Sequence, residues 1–361
     1  MALIDEEFWR GRRVFITGHT GFMGGWLSCF LLQCGADVTG FALPAPTEPS
    51  FFDATRLSSK ITQSVIGDIR EPDTLKAVVQ RARPSIVFHL AAQPLVRRAF
   101  AEPALTFDTN VMGTVNLLEA VLACSDVDAV MVVTTDKVYR NDDRGMAFSE
   151  EDRLGGREPY GASKAAAEFA VDAYRQSYFL KDGSGKAPVG IGSIRAGNIF
   201  GGGDWAVDRL VCDAVRSFSA NQPLRLRNPG HTRPWQHVLN PLPGYLVLAQ
   251  ALCRTPGTFS SGWNFGPPVT DSIPVVDFIA RMKSVWNSNS ALEHYAEDVI
   301  VEARLLSIDS TKAIEQLGWK SIWPLDTSIA KTVEWYKTFY RGEDVWPLSQ
   351  KQCLEIIQEC V

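Results

Sequence analysis

Three short stretches hold side chains whose types and spacing could do chemistry. The first is Thr134-Thr135-Asp136-Lys137, where hydroxyls, a carboxyl and an amine directly follow the continuously apolar run Ala129–Val133. The second is Tyr160-Gly161-Ala162-Ser163-Lys164, a Y-x-x-x-K pair. Residues four apart share a helix face, so a phenol and an amine would stand together there; an amphipathic coincidence is the alternative. The third is Gly18-His19-Thr20-Gly21-Phe22-Met23-Gly24, spaced G-x-x-G-x-x-G after an apolar run at 14–16. Glycine allows a tight turn and lets a phosphate approach with no Cβ in the way. A following helix would offer N–H groups and a positive dipole end to that anion. The spacing differs by one residue from the plain dinucleotide fingerprint, and a simple strand–helix turn also fits this stretch taken alone. Farther on, Arg209, Arg227 and Arg233 lie among Gly, Pro and Trp. Arginine matches phosphate with a two-pronged fork, although each could be an ordinary surface residue.

These groups need elements to hold them. Apolar runs at 14–16, 37–43, 65–69, 85–92, 129–133 and 189–195 read as strands, separated by helical stretches at 25–34, 73–82, 110–124 and 160–180. Continuously apolar strands alternating with helices imply a parallel sheet covered on both faces. The expected fold class is α/β, a Rossmann-type doubly wound parallel sheet with a smaller C-terminal α/β substrate domain. Ligands in such sheets lie outside the carboxyl ends of the strands. The expected division is 1–194 for the dinucleotide domain and 195–361 mainly for the substrate domain, with about 232–255 packing back on the first. Helices are expected at 239–253, 275–286 and 309–317, with Trp335 on a last one; 181–185 is a turn, and nothing is read from the tail beyond Trp346. Small residues after the fourth strand (Leu90, Ala91, Ala92) would let a flat cofactor approach the backbone. Asp68 could accept from an adenine amino group or cap the next helix. The tip of the second strand, Phe41-Ala42-Leu43-Pro44, has no carboxylate for the ribose, which leaves NAD and NADP open on local grounds.

Composition narrows the class. The 361 residues are 45% hydrophobic and 21% charged, which supplies a sizeable core and argues against disorder. Net charge is −5 and no basic cluster is dense enough for nucleic acid. Asp5, Glu6 and Glu7 precede any apolar run, unlike a signal peptide, and no apolar stretch is long enough to span a bilayer. Seven dispersed cysteines without C-x-x-C read as reduced thiols in a cytoplasmic protein. The five histidines show no ligand spacing, so no metal is expected.

Four stretches carry a resemblance: Gly18-His19-Thr20-Gly21-Phe22, His89-Leu90-Ala91-Ala92-Gln93-Pro94-Leu95-Val96-Arg97, Thr135-Asp136-Lys137-Val138-Tyr139, and Arg195-Ala196-Gly197-Asn198 with Asp204-Trp205 and Arg233-Pro234-Trp235-Gln236-His237-Val238. From about Phe8 to Asp344 the chain resembles the extended short-chain dehydrogenase/reductase (NAD-dependent epimerase/dehydratase) family. Within it, the chain looks most like the CDP-glucose 4,6-dehydratases. Thr-Asp-Lys is the more specific sign, since the similar dTDP-glucose enzymes have Thr-Asp-Glu. The resemblance implies NAD as cofactor, a nucleotide-sugar substrate (CDP-glucose), and a homodimer, with a homotetramer also open. It implies oxidation at C4, loss of water across C5–C6, and hydride return to C6. Tyr160 would be the C4–OH base, with Lys164 beside it lowering its pKa and Thr135 orienting the hydroxyl. Asp136 would be the C6 acid and Lys137 the C5 base, which requires a neutral amine made so by desolvation or a nearby cation; alternatively Lys137 stays charged and stabilises the enolate. Gly18, Thr20, Gly21, Phe22, Met23, Gly24, Asp68, Ile69, Leu90, Ala91, Ala92, Thr134, Tyr160 and Lys164 would line the cofactor. Gln93, Asn198, Arg209, Leu210, Arg227 and Arg233 would contact substrate, with Arg233 on the diphosphate. The rivals are an epimerase or reductase on this scaffold and a non-catalytic dinucleotide sensor.

Overall fold

The computed structural model describes residues 3–142, 145–180, 187–294 and 306–360; the expected turn at 181–185 lies outside them. Six strands, β1 (Arg13–Thr17), β2 (Asp37–Ala42), β3 (Gln63–Ile66), β4 (Ile86–His89), β5 (Ala129–Val133) and β6 (Gly190–Arg195), form one sheet with a seventh, Gly262–Asn264. The spatial order is Gly262–Asn264, β6, β5, β4, β1, β2, β3, and every pairing is parallel. Chain order reverses between β1 and β4, where Val14 stands opposite Ile86. A crevice opens at such a switch point, outside the carboxyl ends.

Side chains alternate across the sheet. Val14, Ile16, Ile86, Phe88 and Met131 enter one core with the helices Phe22–Gln33 and Leu242–Arg254. Phe15, Val87, Val130, Val132 and Ile191 enter the other with Pro72–Ala82 and Gly113–Leu122. Both faces are therefore dry, as continuous apolar strands require. Each fully buried side chain of this kind contributes about 1.5–3 kcal/mol relative to exposure.

Several boundaries differ from expectation. The third strand stops at Ile66, short of Asp68. The expected helix over 110–124 begins as a π turn, Asp108–Met112, and continues as Gly113–Leu122. Asn110 in that turn points inward and bonds Gln93 and Ser163. The part after residue 195 returns to the sheet beyond the segment 232–255. Besides the helix Leu242–Arg254 beneath β5 and β6, it supplies the strand Gly262–Asn264 and the helix Trp346–Gln358, which packs on Phe22–Gln33. The remainder holds short strand pairs, such as Thr232–Pro234 with Ser272–Pro274, around aromatic contacts that include Trp235 stacked on Phe278 at 4.2 Å.

Candidate active site

The glycine turn is as tight as its sequence suggests. Gly18 has φ +84°, and a Cβ there would come within 2.7 Å of Ala91 N. A Cβ on Gly24 would lie 2.1 Å from Gly18 O. Gly21 caps the helix Phe22–Gln33 with no side-chain bond, so its first N–H groups face outward uncapped by side chains. That fits a dinucleotide pyrophosphate. Beneath the turn, Thr17 Oγ1 accepts from Leu90 N and Ala91 N, both at 3.2 Å. Thr17 Oγ1 lies 2.7 Å from His89 Nδ1, and His89 Nε2 lies 3.0 Å from Thr114 Oγ1, which donates to Asn110 O. Burial drives the His89 pKa down to about 3, so it is neutral. Thr20 donates to Leu43 O, tying the turn to the β2 tip. Asp68 does not cap the next helix: its carboxyl accepts from Arg70, whose hydrogen bonds hold it below the usual range.

β5 delivers its polar residues to the same edge. Asp136–Val138 forms a 3-10 turn capped by Thr135, whose hydroxyl accepts from Lys137 N and donates to Asp136 Oδ1 at 3.1 Å. Asp136 is fully buried, and its Oδ2 has no hydrogen-bond partner. That oxygen faces Gly197, where a Cβ would come within 1.7 Å of it. Lys137 Nζ stands 3.6 Å from Asp136 Oδ1. Its side chain keeps 35% of its surface exposed.

The helix Pro159–Tyr174 starts where its capping chemistry dictates. Pro159 occupies the first turn, and Glu158 accepts from Tyr160 N and Gly161 N, each at 2.7 Å. Tyr160 is 8% exposed, and burial pushes its phenol up to about 12. A hydrogen bond with Thr135 opposes that, Asp136 reinforces it, and Arg209 opposes it. Tyr160 thus lies beside Thr135 and within electrostatic reach of Asp136 and Arg209. The Lys164 Nζ donates to Val133 O at 3.0 Å. Burial lowers Lys164 to about 8, while Glu168 acts in the other direction.

The expected substrate residues divide. Arg209 pairs with Asp204 at 2.6 Å, and Leu210 begins the helix Leu210–Ala220 beside it. Arg227 reaches Asp208 at 3.5 Å. Arg97, which the sequence reading did not single out, reaches the same carboxylate at 3.7 Å. Asn198 has φ +47° and a buried Nδ2 without a hydrogen-bond partner. Arg233 lies against Thr232 O and His231. Gln93 turns its amide onto Leu95 N, Leu95 O and Thr106 Oγ1. Among the described residues no three His, Cys, Asp or Glu side chains are grouped to hold a metal, and no helix is long and apolar enough to cross a membrane.

Comparison with known proteins agrees with this arrangement. Residues 15–254 match the family model described as GDP-mannose 4,6 dehydratase. The chain is 45% identical over 350 residues to the CDP-glucose 4,6-dehydratase of Salmonella typhimurium, covering 97% of each. It is 26% identical to the dTDP-glucose 4,6-dehydratase of Xanthomonas campestris pv. campestris, covering 90% of this chain and 92% of that protein. Among solved structures, DesIV of Streptomyces venezuelae, a dTDP-glucose 4,6-dehydratase with NAD bound, superposes with TM-score 0.77 at 22% identity, covering 93% of this chain and 99% of that one. At that identity the match speaks for the fold. With a family pattern running from β1 through the helix Leu242–Arg254, and a relative sharing nearly half of the residues along the whole chain, this protein belongs to the GDP-mannose 4,6 dehydratase family.

Proposed function

We propose that the chain is an NAD-dependent CDP-glucose 4,6-dehydratase, forming the 4-keto-6-deoxy sugar nucleotide. The observation that carries this reading is the meeting of Thr135, Asp136 and Tyr160 at the carboxyl end of β5, one strand from the glycine cradle, in a chain so similar to a CDP-glucose enzyme. NAD, when bound, accepts hydride from C4, returns it to C6, and brings a positive ring that favours the Tyr160 phenolate. Tyr160 takes the C4–OH proton while Thr135 orients that hydroxyl. Asp136 gives a proton to the departing C6 hydroxyl, which leaves as water. The C4 ketone acidifies C5; Lys137 takes that proton and gives it back to C5 when hydride reaches C6. Lys164 holds the nicotinamide ribose from the helix face it shares with Tyr160. Arg209, Arg227 and Arg233 hold the substrate's diphosphate end together with Asn198. The enzyme works as a homodimer in the cytoplasm.

A turnover screen with NAD and CDP-, dTDP-, UDP- and GDP-hexoses tests the reading. The expected result is CDP-glucose converted to a product lighter by one water, with no net reduced cofactor. Consumption of dTDP- or UDP-glucose with CDP-glucose left intact would refute the base assignment. Stoichiometric reduced-cofactor consumption would make the chain a reductase.

A further inference from the structure

Behind the β5 terminus lies a buried polar network for which the reaction above has no use. Glu168 and Arg195 are 4% and 5% exposed. Arg195 Nε donates to both Glu168 oxygens, at 2.9 and 3.0 Å, and Nη2 adds a third bond to Oε2. The pair is a two-pronged, dry contact, the geometry in which such bonds are strongest. Its two members reach opposite ends of one short segment. Thr134 Oγ1 donates to Glu168 Oε1 at 2.7 Å. Arg195 Nη1 donates to Tyr139 OH at 2.8 Å, and Tyr139 OH donates to Asn264 Oδ1 at 2.7 Å. Between Thr134 and Tyr139 lie Thr135, Asp136 and Lys137. Glu168 also sits one turn beyond Lys164 and two beyond Tyr160 on the same helix, so all three share a face. The space is closed on the far side: a Cβ on Gly262 would come within 2.7 Å of Arg195 Nη2.

We propose that Glu168 and Arg195 act as a positioning clamp, holding both ends of the 134–139 segment against the helix that carries Tyr160 and Lys164. Neither touches substrate. The clamp sets the distance from Asp136 and Lys137 to the sugar while Tyr160 holds C4. The inference rests on the dehydratase reading and adds the residues that align its parts. The clamp also has an electrostatic side. The titratable groups set against Lys164 are Glu168 on its own helix and His89 from β4, with Arg195 of β6 behind Glu168, while the turn 136–138 packs on the same helix. Glu168 favours the ammonium form, so its neutralisation lets the Lys164 proton leave at lower pH.

Glu168→Gln and Tyr139→Phe test this in the full-length protein with NAD and CDP-glucose. Glu168→Gln should lower kcat by about 10²-fold, with KM within about threefold, because misplacement of roughly 1 Å costs that much. The alkaline limb of its kcat profile should move down by about one pH unit. Tyr139→Phe cuts one end of the clamp and should lower kcat about tenfold with its alkaline limb unmoved. Crystal structures of both variants should show residues 135–138 displaced relative to Tyr160. Values of kcat within about twofold of the parent in both folded variants, with 135–138 in place, would overturn the clamp. If Glu168→Gln does not fold, Tyr139→Phe decides by the same criteria. If the parent turns over none of the four nucleotide sugars, the dehydratase reading fails, and the two crystal structures still decide the clamp.

Discussion

Thr134, Tyr139, Glu168 and Arg195 are buried and bonded to one another, whereas Arg97 and Arg227 stand partly open to solvent against the half-exposed Asp208. Breaking a buried ion pair costs about 3–5 kcal/mol, so the first set fixes atoms in place. The Asp208 pairs of Arg97 and Arg227 are half-exposed and worth about 0–1 kcal/mol each, so they can exchange that carboxylate for another anion at little cost. Under the proposed function Asp208 stands where the substrate's diphosphate would. The site has one side built for placement and one built for exchange.

The largest effect should come from the placed side. Tyr160→Phe removes the group that takes the C4 proton, and kcat should fall by about 10³-fold or more in a CDP-glucose assay. Loss of less than about tenfold would take Tyr160 out of that role. Lys137→Met should lower overall turnover by about 10²-fold while reduced cofactor builds up, since C4 oxidation precedes C5 deprotonation; stopped-flow absorbance reads the build-up. A normal dehydration rate would leave Lys137 without the role. Next comes pH. Lys164 is depressed in the fold to about 8 from an ordinary value of 10.5, so its charge is lost as pH rises through about 8. Activity that needs the ammonium should decline above that pH. Stability should move the other way: the cost of burying the charge is full below pH about 8 and fades between 8 and 10.5. Comparing Lys164→Met with the parent by denaturant unfolding isolates that trend. The smallest effect belongs to the exchangeable side. Asp208→Asn frees two arginines of a competing charge, and CDP should bind about two- to fivefold more tightly by calorimetry. Weaker binding would mean that Asp208 contributes to the site instead of standing in for its ligand.

The sheet was legible because its strands are continuous apolar runs punctuated by helices. The glycine turn and the Tyr160–Lys164 pair were legible because each spacing stands beside the other and beside the polar end of a strand, since either taken alone also fits a plain turn or an amphipathic helix. Partners distant in sequence were not. Nothing local tells Glu168 that Arg195 lies across from it, although its place four residues after Lys164 on the same face was a usable sign. Asp68 misled as a helix cap because Arg70, two residues away, captures its carboxyl first. The helix Trp346–Gln358 escaped notice because its inner stripe mixes Ser349 and Cys353 with Ile356 and Ile357, a faint apolar period.

That last helix has a consequence for synthesis. It covers the outer side of Phe22–Gln33, bringing Cys353 Sγ to 3.7 Å from Cys29 Sγ and Gln350 to Gln33. On the ribosome the helix behind the glycine turn is made long before residue 346, so its outer side waits for a cover 324 positions farther along the chain.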